Sequence, residues 1–153
     1  MTSELPHIDC IEAATQGTFS ATCGLSLAES PDAPQEAGTV MIAVISLVGD
    51  LEWSVYLAVP QQTATTVVSK FCGFDIPFDS ADMSDAIGEL TNIFAGQVKN
   101  CLDQKGVTVE ISLPSVLRAD NFQMLQQSGA IQISKTYQSE AGSFCTGVMA
   151  ART

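Results

Sequence analysis

The chain has 153 residues, 46% of them hydrophobic, which is enough to bury the core of one ordinary domain. Seventeen acidic against six basic residues give a formal net charge of -11, which repels nucleic acid and anionic lipid alike. The longest apolar run, TVMIAVISLVG, has about half the length of a membrane span, and the start MTSELPHIDC has no basic residue, so we expect one domain over residues 1–153 without nucleic-acid or membrane partners.

The first predicted element is a helix that begins near His7 and ends at Cys23 and Gly24. Its apolar stripe has helical spacing and consists of Ile8, Ile11, Thr15 and Phe19. His7 is the single histidine, so a catalytic triad or a His-rich metal site is hard to assemble, and a surface or capping role is expected for it. Residues 25–30 predict a short strand and residues 30–38 a polar loop.

A β-hairpin is predicted next, from alternating strands at 39–48 and 52–59 joined by a Gly-Asp turn. Both faces of the first strand are apolar, as in a strand covered on both sides, and either helices or a partner subunit must cover one of these faces. Pro60 begins a second helix over 61–72, which Gly73 ends.

A third helix, over residues 84–102, is the most informative segment, and Asp82 or Ser84 is expected to cap it. Its inner stripe consists of Met83, Ile87, Leu90, Phe94, Val98 and Cys101. About half a turn away, the spacing places four residues in one row on the outer face, namely Asp85, Glu89, Asn92 and Gly96.

Three further strands are predicted, at 107–113 before Pro114, at 130–137 and at 143–150. The order of elements favours an α+β domain with helices packed on a mostly antiparallel sheet. No CxxC pair is present, so all five cysteines are expected to be small, buried, free residues in a reducing, cytoplasmic compartment: Cys10, Cys23, Cys72, Cys101 and Cys145.

The outer row of the third helix combines two carboxylates with an amide. Two carboxylates four residues apart are compatible with acid–base catalysis or metal binding, but neither use requires Asn92 between them in the row. In phosphoryl transfer to water, a neutral amide can position the attacking water. A solvated surface is the ordinary explanation of such a row, although Gly96 costs roughly 1 kcal/mol relative to Ala in a helix and gives nothing to such a surface.

This row resembles the motif of the CheC/CheX family of response-regulator phosphatases. The motif reads Asp85, three residues, Glu89, two residues and Asn92, with Pro114 a little over twenty residues later. The resemblance extends to Gly96 and to the hairpin SLVGDLEWSVYLAVP, and it covers nearly the whole chain. The first helix has Asp9, Ala13 and Gln16 at the corresponding positions, so one active helix is expected, as in the CheX type.

The resemblance implies hydrolysis of the aspartyl phosphate on a CheY-like response regulator. Asn92 would orient the attacking water, and Glu89 would pair with the regulator's active-site lysine. Mg²⁺ would belong to the regulator, so no cofactor of the chain's own is expected. Asp85 would contact the partner or favour the helix N-terminus, and Gly96 would permit close docking. CheX-type relatives are homodimers, so a homodimer is expected.

Two alternatives remain open. One is a non-catalytic CheX-like docking module that binds a response regulator or a flagellar or chemoreceptor component. The other is a carboxylate-based hydrolase of a small molecule, which would require a deep pocket behind Glu89.

Overall fold

The computed structural model describes residues 5–30, 38–122, 125 and 127–151 of the chain. These residues form one antiparallel sheet and three helices. The elements are α1 (Asp9–Cys23), β1 (Ala28–Glu29), β2 (Thr39–Gly49), β3 (Trp53–Pro60), α2 (Gln61–Cys72), α3 (Ala81–Gln104), β4 (Val109–Ile111), β5 (Ser115–Asp120), β6 (Ala130–Ser139) and β7 (Gly142–Ala151). The strand order is β1-β6-β7-β3-β2-β4, and β5 also pairs with β2. Within the described ranges, no helix is long and apolar enough to cross a membrane.

The strand β2 is buried on both faces, as its sequence predicts. Met41, Ala43 and Ile45 join the main core together with residues of all three helices. The alternate residues Val40 and Ile42 belong to a second cluster on the opposite face, which also contains buried residues of β3 and half-buried Phe122. The chain itself therefore covers much of both faces.

One aromatic ring organises the second cluster. Tyr56 packs edge to face against Phe122, with 6.0 Å between ring centroids. Its ring also lies across Gly147 of β7, where any Cβ would clash with it. Burial raises the pKa of the Tyr56 hydroxyl above its ordinary value. The Tyr56 ring therefore covers this sheet face near β3 and β7, and it can do so only because residue 147 is a glycine.

The ends of the first two helices agree with the predictions. α1 ends at Gly24, which has a left-handed conformation with φ 65°, and its N–H donates to the Ser20 carbonyl. α2 begins after Pro60 and ends at Gly73, which is left-handed as well.

The cap of α3 differs from the prediction, which was Asp82 or Ser84. Ser80 is the capping residue, and its hydroxyl accepts a hydrogen bond from the Met83 N–H at 3.2 Å. Ser80 has the extended backbone that a cap requires, whereas Asp82 and Ser84 already lie within the helix.

The strands differ from the predictions in three places. β4 is shorter than the predicted strand at 107–113, because Leu113 is 85% exposed and pairs with no strand. β5 follows Pro114 and was not predicted, because its residues are exposed or half-buried and do not alternate clearly. The predicted strand at 25–30 contracts to the two residues of β1, and most of the predicted loop at 30–38 lies outside the described residues.

The expectation of five free cysteines is wrong for two of them. Cys10 of α1 and Cys101 of α3 form a disulfide with a Cα–Cα distance of 5.6 Å. The two residues are 91 positions apart, so only the packing of α1 on α3 brings them together. Cys23, Cys72 and Cys145 are free, as expected, and burial raises the pKa of the Cys145 thiol to about 11.

We predict that reduction of the Cys10–Cys101 disulfide destabilises the oxidised protein by up to about 4 to 5 kcal/mol, because closing a loop of this length restricts the unfolded chain. Urea unfolding with and without dithiothreitol measures the difference, and Cys10→Ser is the control that should not respond to the reductant. The same unfolding midpoint with and without dithiothreitol, together with five titratable thiols under non-reducing conditions, would contradict the prediction.

Candidate functional site

The helix α3 presents the four candidate residues on its exposed side. Asp85, Glu89, Asn92 and Gly96 are all exposed. The opposite side of the helix is buried, through Met83, Ala86, Ile87, Leu90, Thr91, Phe94, Ala95, Val98 and Leu102. The amphipathic pattern thus fixes which side of the helix faces solvent, and the serine cap fixes where the helix begins.

Glu89 and Asn92 contact each other across one turn. The Asn92 Nδ2 donates to Glu89 Oε1 at 3.4 Å, which is long for a hydrogen bond. Among the residues that the structure describes, this is the one hydrogen bond that either side chain makes. A carboxylate and an amide so weakly held can exchange this contact for one to a docked molecule at little cost.

Asn92 has a glycine one turn before it and one turn after it. At Gly96 a Cβ would meet no atom of a described residue within 4 Å, so an alanine would fit. At Gly88 a Cβ would lie 3.9 Å from Val116 Cγ2, which is ordinary van der Waals contact. Packing within the chain therefore requires neither glycine, although each lowers helix stability by roughly 1 kcal/mol relative to alanine.

Gly88 was missed as a candidate in the sequence. The available signal was its position four residues before Asn92, which mirrors the position of Gly96 four residues after it. The two glycines leave Asn92 without a side chain four residues before it or four residues after it, so Glu89 is the neighbour on this side of the helix that it contacts.

The strands β4 and β5 run beside α3. The Lys99 ammonium donates to the Val109 carbonyl at 2.6 Å, and Val116 faces Gly88. Pro114 lies between these two contacts along the chain, so the fold brings the segment that contains it to the flank of the helix. Leu113, which is 85% exposed, projects from the same segment.

Glu89 lies on an open helix face. A cavity of about 560 Å³ lies elsewhere, between the residues before α1 and the β2–β3 turn, and its lining includes His7, Asp50 and Trp53 but none of the four candidate residues. Within the described ranges, no three His, Cys, Asp or Glu side chains converge as a metal site would require. The four candidate residues thus lie on the open surface of α3 and outside this cavity.

Residues 41–137 match the family model described as "Chemotaxis phosphatase CheX", and this range includes all four candidate residues and Pro114. No curated protein matches the chain in sequence.

Solved structures share the fold over nearly the whole chain. The chemotaxis protein CheX from Desulfovibrio desulfuricans is 23% identical, with a TM-score of 0.80 over 94% of this chain and 98% of that one. CheX from Vibrio vulnificus is 16% identical, with a TM-score of 0.82 over 94% and 98%. The Borrelia burgdorferi CheX-CheY-BeF3-Mg²⁺ complex contains a chain 18% identical, with a TM-score of 0.75 over 98% and 100%.

These neighbours have helices packed on an antiparallel sheet, as predicted here for the α+β class. Because the family model matches more than half of this chain, the chain belongs to the CheX family of chemotaxis phosphatases.

Proposed function

We propose that this chain hydrolyses the aspartyl phosphate of a CheY-like response regulator. The observation that carries the proposal is the exposed Asn92, which stands beside Glu89 and between two glycines that packing does not require. Membership of the CheX family supports a chemotaxis phosphatase role in general. The similar chain from Borrelia burgdorferi, which is bound to CheY, supports a regulator of this kind as the partner.

In the proposed reaction Asn92 enters the regulator's active site and holds the attacking water in line with the phosphorus. An amide suits this task because its oxygen accepts a hydrogen bond from the water while its NH₂ group can donate to a neighbouring oxygen. Phosphoryl transfer needs little covalent chemistry from the protein, so positioning of the water supplies much of the acceleration. The Mg²⁺ that balances the phosphoryl charge is bound by the regulator, and the chain contributes no ligand to it.

Glu89 is proposed to pair with the lysine in the regulator's active site. A carboxylate and an ammonium form a charge-assisted hydrogen bond, which is stronger than the long contact that Glu89 now makes with Asn92. Docking would therefore replace a weak internal bond by a strong intermolecular one and free the amide for the water. Asp85 lies one turn further towards the N-terminus and is proposed to contact the partner beside this pair.

The non-catalytic docking module remains the alternative. Such a module would also need Gly96 and an exposed helix, but docking alone gives no physical reason for an amide in the position that the phosphoryl group would face. A small-molecule hydrolase is disfavoured, because Glu89 is exposed on an open helix and does not line the 560 Å³ cavity.

We place the proposed reaction in the cytoplasm, where Cys10 and Cys101 would be held largely as thiols.

We predict that Asn92→Ala lowers the rate of regulator dephosphorylation about 100-fold or more, because the water loses its positioning group, while docking is largely retained. Glu89→Ala should weaken both docking and turnover. Decay of the phosphorylated regulator is measured with the wild-type chain, with each variant and with no addition.

Asn100→Ala is the matched control for this experiment, because Asn100 is exposed on the same helix two turns beyond Asn92. It should retain full activity. An equal loss in Asn92→Ala and Asn100→Ala would point to damage to the helix rather than to a lost catalytic group. Binding without any accelerated decay by the wild type would favour the docking module.

Gly96→Ala should separate stability from function. We predict that it raises the free energy of unfolding by up to about 1 kcal/mol, because no described residue lies within 4 Å of the added methyl group, and that it lowers regulator affinity, because the methyl group obstructs docking. Urea unfolding and titration with the regulator measure the two effects. Unchanged affinity would contradict the role proposed for Gly96, with Asn100→Ala again as the helix control.

We also propose that the chain forms a homodimer through the sheet face opposite the helices, which carries the second apolar cluster. Val48 and Leu117 lie on that face and are 53% and 45% exposed, next to the second apolar cluster. Sedimentation velocity should give twice the 16.1 kDa chain mass, and added salt should favour the dimer by screening the charge of -11 on each copy. Leu117→Glu should shift the equilibrium towards monomer, whereas a monomer at every concentration and salt level would contradict the proposal.

A further inference from the structure

The edge strand β5 adds a second surface beside α3. β5 pairs with β2 along one side, from Ser115 opposite Val44 to Asp120 opposite Thr39. In the part of the chain that the structure describes, no strand pairs with its other side. Val116 faces Gly88, so this open edge borders the helix that carries the proposed site.

Arg118 lies on the side of β5 that faces the helices. Strand residues alternate between the two faces of a sheet, and directly paired residues share a face. Val116 pairs with Ala43 and Arg118 with Met41, and both partners belong to the core beneath the helices. Arg118 itself is exposed, because it lies at the sheet edge.

The position of Arg118 along α3 follows from two contacts. Lys99 binds the Val109 carbonyl, and Val116 faces Gly88, so the chain passes along α3 from its C-terminal half towards its N-terminus. Two strand residues beyond Val116 span about 6.6 Å, which is close to the rise of four helical residues. Arg118 is therefore level with about Ser84, roughly two turns from Asn92.

Arg118 forms no ion pair with an acidic residue that the structure describes. Each described lysine forms an ion pair: Lys70 with Glu140, Lys99 with Glu110, Lys105 with Asp9, and Lys135 with Glu12 and Glu29. Arg118 forms none with any described residue, although the chain has 17 acidic residues. The nearby Asp120 carboxylate instead accepts a hydrogen bond from the Thr39 hydroxyl at 2.7 Å. The guanidinium is free to bind an oxyanion from outside.

We infer that Arg118 binds a carboxylate on the surface of the partner that docks on α3, an inference that rests on the proposed function. A surface carboxylate fits better than the phosphoryl group, because Asn92 serves the phosphoryl group and Arg118 lies about two turns away along the helix. The charge of -11 repels any acidic surface at long range, so a local cation beside the site supplies attraction for a carboxylate where the net charge does not. Arg118 thus selects acidic partners and fixes their register on α3.

The test compares Arg118→Gln with Lys70→Gln. Both variants change the net charge from -11 to -11 - 1 = -12, so long-range repulsion rises equally in both. Lys70 lies on α2 and is paired at 3.6 Å with Glu140, which lies in the β6–β7 turn. In the sheet, β3 and β2 separate the strands β6 and β7 from β5. Purified CheY-like receiver domains, with and without beryllofluoride and Mg²⁺, are titrated at low and at high salt.

Arg118→Gln should lower affinity roughly tenfold at low salt for both forms of the receiver domain, with a smaller loss at high salt. Arg118→Lys keeps the charge but loses the planar fork of the guanidinium, so its affinity should lie between those of Arg118→Gln and the wild type. Lys70→Gln should bind like the wild type. The thermal midpoint of Arg118→Gln should match that of the wild type.

Equal affinities for Arg118→Gln and Lys70→Gln would overturn the inference. A loss confined to the beryllofluoride form would overturn it too, because the phosphoryl group would then be the anion. If the wild type binds a receiver domain without accelerating dephosphorylation, and Arg118→Gln weakens that binding, catalysis fails and the inference stands. If the wild type binds no receiver domain, both the proposed function and the inference fail.

Discussion

Burial of one side of α3 is the constraint on which the rest of the structure depends. Phe94, Val98 and Leu102 are fully buried against the sheet and the neighbouring helices, so α3 cannot rotate without exposing them. The same packing fixes the direction in which Glu89 and Asn92 point. A rigid helix positions two side chains more exactly than a loop does, and among the described residues these two side chains make one long hydrogen bond, to each other. The platform is rigid while the groups that act on a partner remain free to adjust.

Periodicity in the sequence was sufficient to predict most of the fold. The hairpin of β2 and β3, all three helices, and the strands β6 and β7 each bury one or both faces, and a buried face leaves a regular apolar pattern. β5 leaves no such pattern, because an edge strand with exposed residues satisfies its backbone by pairing with β2 and needs no apolar side. The Ser80 cap was missed because Ser80, Asp82 and Ser84 lie close together near the start of α3 and each can cap a helix chemically.

The candidate site was predicted in part, because its four residues lie on one helix where spacing alone groups them. What the sequence could not provide was contact between distant segments. Cys10 meets Cys101 across 91 positions, and Val116 meets Gly88 only through the pairing of β5 with β2. The empty space at Gly96 could not be predicted either, because a glycine in a sequence gives no sign of whether its surroundings demand it. The roles assigned to Glu89 and Asn92 remain predictions.

The order of strands in the sheet constrains how the protein can be made. β7 pairs with β3, and β1 pairs with β6, so the last hairpin of the chain inserts between strands that are synthesised much earlier. Until that hairpin arrives, one edge of β3 has no partner and β1 has nothing to pair with. A nascent chain that ends just after α3 would contain the outer row from Asp85 to Gly96 and the β2–β3 hairpin, but not β4 and β5, which flank the helix. The sheet is therefore completed only after β6 and β7 have been synthesised, whereas α3 itself packs on α1, α2, β2, β4 and β5.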